Sequence, residues 1–456
     1  MKAAIETTGQ SMFQLYITRD TERKLATAWL MLGLSALALA GLFAIMLVLS
    51  RTPGVQNFFP WLDFFHTALV VHVDLSVLIW FLAFAGVFWN FQADSHRRLR
   101  WFAFALASTG TLVIAASPFT GAGDPLMNNY IPVLRQPLFL LGLGVFGLGI
   151  SLQVLLSLTE FLTQRFSKQS VASIGAATAA VACAVALISL IWSFIQIGDR
   201  LNGQGFFEFL FWGSGHTLQF AYTQMMLVAW LWMAQATGIR LGTAATRPVM
   251  IILLLGVVPV LSVPIIHLAH DVVSAESRLA FTRLMQWGGG IAAIPIGCLI
   301  LYRLWQSPAA AADQRPVRRA LLMSILLFAS GGLIGWLISG LNTVIPAHYH
   351  GSIVGVTLAL MGLTYQLLPS LGFTKPVGRM ASMQPLVYAL GQLLHVGGLA
   401  VSGAMGIQRK TAGAAQGLED LPRIAAMGVM GFGGLLAVIG GILFVVVVLQ
   451  AMWRRP

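Results

Sequence analysis

His348-Tyr349-His350 opens an apolar stretch that runs on through Gly351-Ser352-Ile353-Val354-Gly355 to Leu368-Pro369. Ionisable side chains inside an apolar segment of bilayer length are costly and point to function. Residues at i and i+2 on a helix lie about 200° apart at 3.6 residues per turn. The two rings therefore cannot easily share a metal, but each can face a different cofactor. Histidines on three other apolar stretches make this a membrane redox protein rather than a generic transporter.

The surrounding chain is built for lipid. With 57% hydrophobic and 9% charged among 456 residues, it is not a water-soluble globule. Apolar runs able to cross ~30 Å of hydrocarbon recur twelve times, near 25–49, 64–90, 101–120, 136–162, 170–196, 206–236, 247–273, 279–304, 318–341, 345–370, 384–405 and 424–452. The expected fold is an all-α integral membrane protein, a single transmembrane domain over residues 1–456. The first run follows a polar stretch with Asp20, Glu22, Arg23 and Lys24 and lacks a small-residue cleavage site, so it reads as an uncleaved helix.

The net charge of +12 is a topology signal rather than a nucleic-acid footprint. With the N terminus inside, 19 of the 27 basic residues fall in cytoplasmic segments and 8 on the other side. The positive-inside rule then places both termini in the cytoplasm. Cys183 and Cys298 both lie in apolar runs, so neither a disulfide framework nor a thiolate metal motif is readable.

That topology assigns a depth to each histidine. His72, on a helix entering from outside near residue 64, lies roughly 12 Å deep at 1.5 Å per residue. His216 enters from the same side to a similar depth. His270 and Asp271 occupy the last turns of a helix exiting outward, and His348 and His350 the first turn of one entering. Imidazoles from four helices thus converge on one layer in the outer half of the membrane. Imidazole is the commonest protein ligand of haem iron and copper.

This pattern resembles the catalytic subunit I of the haem–copper oxidase superfamily, which includes respiratory oxidases and nitric oxide reductases. The resemblance covers nearly the whole chain and implies residence in a bacterial inner membrane. It implies that His348 binds a high-spin haem and that His350 and His72 bind a low-spin haem, both haems b-type. Ala68-Leu69-Val70-Val71-His72 carries the helix-2 match, with His66 the competing ligand. Trp212-Gly213-Ser214-Gly215-His216 matches the helix-6 ligand of the non-haem metal. Helix 7 departs from the family, reading His270-Asp271 where two adjacent histidines are usual. His270 is then a ligand, and either Asp271 or His267 completes the set. Carboxylate is a harder donor than imidazole and suits iron at least as well as copper, so the metal is copper or iron. Gly406-Ile407-Gln408-Arg409-Lys410-Thr411 resembles the family's basic pair at the haem propionates; an ordinary solvated loop is the alternative.

Many oxidases of the family carry a tyrosine four residues after the helix-6 histidine, whose phenol supplies an electron and a proton for O–O cleavage. Here that position is Phe220, and Tyr222 lies about 240° round from His216. Gln219 shares the face of His216, and Glu208 lies two turns outward. With Asp271 these are the expected catalytic groups, hydrogen-bonding a diatomic and relaying protons. A helix–helix hydrogen bond is the plain alternative for Gln219, and an interfacial position that for Glu208. The expected reaction is reduction of nitric oxide to nitrous oxide; the alternative is reduction of dioxygen to water. Glu160 is the one carboxylate at the inner end of a helix, which fits proton uptake from outside and no pumping.

Lacking both a cupredoxin domain and a Cys-x-x-Cys-His motif, the chain is expected to take electrons from a partner subunit carrying a copper or c-type haem centre, with direct quinol oxidation a further route. Membrane lipid and a small gas are the other expected partners, and nucleic acid is not. A haem-free transporter and a haem scaffold with a decayed site are the competing classes.

Overall fold

The computed structural model of the protein describes residues 12–16, 19–51, 64–91, 95–121, 123–163, 170–411, 416–418 and 420–454. Lys2, Arg165, Lys168 and Arg455, used above for orientation, lie outside them. Among the described residues the chain forms fifteen α-helices and one short β-hairpin. Helices dominate because in hydrocarbon every backbone N–H and C=O must bond within its own segment.

Eleven helical stretches among the described residues are long and apolar enough to cross a bilayer. The stretch expected at 206–236 is also helical, over Gly203–Ala236. Its Gln204, Glu208, Gln219, Thr223 and Gln224 make it more polar, and it is not one of the eleven. Exposed leucines such as Leu162 and Leu268 cover the helix surfaces, as expected where lipid rather than water is the solvent.

Contacts divide the chain into two compact units. The first takes its described residues from Met1–Ala36 and Val73–Ala309. Into it fall the start of α1 (Asp20–Arg51), α3 (Trp80–Asn90), α4 (Arg97–Ala116), α5 (Pro137–Thr163), α6 (Val171–Ile197), α7 (Gly203–Ala236), α8 (Thr246–Val257), α9 (Val263–Ala269), α10 (Ala275–Gly288) and α11 (Gly290–Trp305). The hairpin pairs β1 (Asp124–Leu126) with β2 (Val133–Arg135) in antiparallel register, Asp124 opposite Arg135.

Local chemistry explains the breaks. Ser170 and Ser173 exchange side-chain-to-backbone hydrogen bonds of 3.0 and 3.1 Å, a capping box that starts α6. Between α8 and α9 the backbone tightens to a 3₁₀ turn over Val258–Ser262. Pro259 lies at the start of that turn and Pro264 at the start of α9, positions where the missing N–H costs little. α9 ends at Ala269, and His270 is extended at φ −134°, ψ 139°.

The second unit takes its described residues from Leu37–His72 and Ala310–Pro456. It holds α2 (Phe64–Val73) except for its last residue, α12 (Arg315–Gly335), α13 (Val344–Leu367), α14 (Arg379–Ala404) and α15 (Leu421–Trp453). Small residues let these helices touch backbone to backbone. A Cβ on Gly331 of α12 would fall 2.3 Å from the Ser352 nitrogen of α13, and one on Gly433 of α15 2.3 Å from the His395 nitrogen of α14. Both contacts bring a neighbouring helix onto a histidine-bearing segment. Asp74–Ile79, directly after α2, is a π-helical turn, a geometry rare in general and frequent at functional sites.

Candidate functional site

The second unit carries five of the described imidazoles, on three helices. His72 Nδ1 donates to the Ala40 carbonyl at 2.9 Å, and His348 Nδ1 to the Gly331 carbonyl at 2.7 Å. A carbonyl oxygen only accepts, so in both rings the proton sits on Nδ1 and the lone pair on Nε2. Metal-ligating histidines are held in this way, by a hydrogen bond from the far ring nitrogen that fixes tautomer and orientation. Gly335 supports the second ring, since a Cβ there would lie 2.7 Å from His348 Nδ1.

His350 differs. Its Nε2 lies 3.0 Å from Gln392 Oε1, so its proton sits on Nε2. Its ring lies 4.7 Å from that of His395, whose Nδ1 donates to the Met430 carbonyl at 2.9 Å. His66, the competing helix-2 candidate, packs edge-on against its neighbour Phe65 at 5.0 Å. Gln392 and His395 escaped the sequence reading; the signal for His395 was a further histidine inside the run 384–405.

The basic pair sits beside the start of α13. Thr343 N donates to Ile407 O at 3.0 Å, Asn342 bridges Gln408, and Thr343 Oγ1 donates to Leu399 O at 2.9 Å. Arg409 and Lys410 follow directly, with Lys410 at φ 61°. This turn thus ties the pair to the helix that carries His348 and His350.

In the first unit, α7 positions His216. Its Nδ1 donates to the Trp212 carbonyl at 2.7 Å, one helical turn earlier, which again leaves the lone pair on Nε2. Tyr130 packs on the ring at 4.7 Å, Trp212 at 4.8 Å and Phe281 at 6.0 Å. Tyr130 arrives from the loop of the β-hairpin. Asn128 Oδ1 accepts from Ile131 N at 3.0 Å to turn that loop, and Asn129 Nδ2 donates to Glu208. Burial, and secondarily the Glu208 charge, push the Tyr130 phenol above its ordinary range. Sequence reasoning missed Tyr130 because it lies in a short loop far along the chain from His216. Arg278 stacks over Trp212 at 4.5 Å. Among the described residues, Gln219 Nε2 meets its own helix, 3.5 Å from Gly215 O.

His267 lies against α6. Its ring stacks on Trp192 at 5.4 Å and 14°, and its Nε2 is 2.8 Å from Ser189 Oγ. Phe281 touches both His267 and His216. Asp271 takes another partner: both its oxygens accept from Arg200, at 2.9 and 3.2 Å, and Oδ1 also accepts from Val273 N. These donors hold its carboxyl below the usual range, and about half of it is exposed. His270 lies just beyond the end of α9, its N–H on Ile266 O.

These contacts test the two expected cofactors separately. For haem, the tautomers of His72 and His348 fit an iron ligand, whereas His350 would have to release Gln392. For the non-haem metal, the described residues contain no group of three or more His, Cys, Asp or Glu close enough to hold an ion. The structure does not bring His216, His267, His270 and Asp271 together as one ligand set. The reasons are local: Arg200 neutralises Asp271, and Ser189 takes His267 Nε2.

Comparison with known proteins supplies the family. A family model for cytochrome c and quinol oxidase polypeptide I matches residues 24–452. The chain belongs to that family. It is a subunit I of the haem–copper oxidase superfamily, a multi-pass membrane oxidoreductase whose relatives generally bind haems and a copper or iron centre. An uncharacterized protein of Rickettsia prowazekii is 32% identical, the match covering 95% of this chain and 97% of the relative. An uncharacterized protein of Aquifex aeolicus is 29% identical over 78% of this chain and 88% of its own length. Among solved structures, a heme-copper terminal oxidase dimer matches at TM-score 0.71 and 16% identity, covering 96% of this chain and 85% of that one. At that identity the likeness is one of fold.

Proposed function

We propose that this oxidase-family subunit reduces nitric oxide to nitrous oxide. The observation carrying the reading is Phe220. It occupies the turn after His216 and is buried, packed where a Cβ on Gly288 would meet its ring at 2.9 Å. Tyr222, the nearest phenol along α7, turns to Phe81 at 4.7 Å. α7 therefore offers His216 no phenol. Joining two molecules of nitric oxide takes two electrons and two protons and needs no phenol radical.

When bound, a haem at His348 supplies an iron position for a diatomic, and one at His72 and His350 supplies an electron reservoir. Ala40 and Gly331 hold the His72 and His348 rings by Nδ1, His350 would exchange Gln392 for the iron, and Arg409 and Lys410 would pair with carboxylates. Glu208 holds a hydrogen-bonded carboxylate beside Tyr130. The non-haem metal enters no step, because its ligands are not gathered. We place the subunit in a bacterial inner membrane with both termini cytoplasmic, taking electrons from a copper- or c-haem-bearing partner subunit.

One observation favours a second reading, dioxygen reduction to water: Tyr130 puts a phenol against His216 from outside α7. Consumption of nitric oxide and of dioxygen by the purified complex separates the two. Nitric oxide turnover that survives Tyr130→Phe is the expected result. Dioxygen turnover that the substitution abolishes would replace the first reading with the second.

A further inference from the structure

α6 presents Ser189, Trp192, Ser193 and Gln196 along one face, and Arg200 follows three residues beyond its end. His267 and Asp271, four apart, lie opposite. Ser189 Oγ meets His267 Nε2 at 2.8 Å, Gln196 Nε2 meets the His267 carbonyl at 3.5 Å, and Arg200 meets Asp271 at 2.9 Å. The helical part of the stripe, Gln196 to Ser189, spans about 10 Å at 1.5 Å per residue, with the half-exposed Arg200–Asp271 pair beyond its outer end. At its inner end Ser189 Oγ lies 2.8 Å from where a Cβ on Gly213 would stand, three residues before His216.

Three buried polar atoms on this stripe have no hydrogen-bond partner among the described residues: Ser193 Oγ, Gln196 Oε1 and His267 Nδ1. Ser193 is fully buried and His267 nearly so. Leaving a buried polar group unsatisfied is costly, and three in one place share one simple remedy. Buried water bonds groups of this kind, typically making two to four hydrogen bonds. Neutral donors and acceptors, with no cluster of like charge, suit water better than an ion.

We propose that this face of α6 and His267 line a water-filled inlet. It opens at Arg200 and Asp271, on the side the positive-inside count makes outer, and ends beside Gly213. Resting on the function proposed above, the inlet supplies the protons that nitric oxide reduction consumes. Protons pass along hydrogen-bonded water, so no lining side chain changes its charge.

Thiol labelling tests the inlet without reference to turnover. In the full-length complex carrying Cys298→Ser, Ser193→Cys is exposed to 2-aminoethyl methanethiosulfonate from the outer side. Ile195→Cys, 71% exposed on the lipid-facing surface, is the control, because a thiol in apolar surroundings stays protonated and inert. Labelling at 193 on the order of a hundredfold faster than at 195 is expected. Equal rates, or labelling from the inner side only, overturn the inlet; Gln196→Cys gives the same reading should Ser193→Cys not accumulate. The proton role is read from an isosteric pair: Ser193→Thr should keep nitric oxide turnover and Ser193→Val lower it tenfold or more, with haem spectra unchanged. Equal turnover in the pair overturns that role, whereas a complex that never consumes nitric oxide sinks only the function proposed above.

Discussion

Replacing Gly215 by alanine tests whether the hairpin loop is keyed to His216. The new Cβ would fall 2.2 Å from Tyr130 Cγ, 2.5 Å from its Cβ and 2.7 Å from Cδ1. Two of these atoms belong to the root of the side chain, so a rotamer change cannot clear the overlap. The whole residue must retreat by about 1 Å, and the loop with it. Overpacking of this kind costs about 1–3 kcal/mol, and weakening the ring contact with His216 adds about 0.5–1.5 kcal/mol. The expected destabilisation is about 2–4 kcal/mol, measured by equilibrium unfolding of the solubilised complex in mixed micelles. A double-mutant cycle supplies the decisive comparison. Once Tyr130→Gly has removed all three of these atoms, Gly215→Ala should cost under about 0.5 kcal/mol. If the two substitutions add within about 0.5 kcal/mol, Tyr130 does not fill the notch over Gly215 and the contact with His216 is not set by it.

Other expectations follow from the same contacts. His72→Leu should abolish the low-spin signal in visible and paramagnetic-resonance spectra while leaving the high-spin one, and His348→Leu should do the reverse. Arg100 is almost wholly buried against Glu160 and the carbonyls of Ser95, Trp89 and Leu156. Arg100→Met should cost about 3–5 kcal/mol on unfolding, and adding Glu160→Gln should recover part of it. Asp271, held low by Arg200, contributes stability that is present above the ordinary carboxylate pKa of about 4 and is lost as pH falls through the depressed value. Being half exposed, the pair is worth under about 1 kcal/mol, so Asp271→Asn should lower the melting temperature slightly at pH 7 and not at all near pH 2.

The readable parts of this site were those confined to one helix. His348 and His350 announce themselves because a charged-capable pair inside an apolar run has few structural uses, whereas the turn that ties Arg409 and Lys410 to α13 shows only in three dimensions. What failed to show was pairing across long separations. Nothing near Asp271 signals that Arg200 will take both its oxygens, nor near His267 that Ser189 and Trp192 will hold its ring. Tyr130 sits in a six-residue hairpin loop whose destination depends on where α7 lies. The break between α8 and α9 was half visible: Pro259 and Pro264 stand in the sequence, but nothing in it marks the early end at Ala269 that leaves His270 extended.

The π-helical turn Asp74–Ile79 carries an implication for the register of the chain. A π turn is an α-helix with one residue inserted. Losing a single residue between 74 and 79 would let the segment relax into continuous α-helix, rotating everything upstream by about 100° relative to α3 and drawing it in by about 1.5 Å. His72 would then face a different neighbour with no change in its own identity. A one-codon deletion can thus re-aim His72, which makes the length of that turn as heritable a property of the chain as the histidine itself.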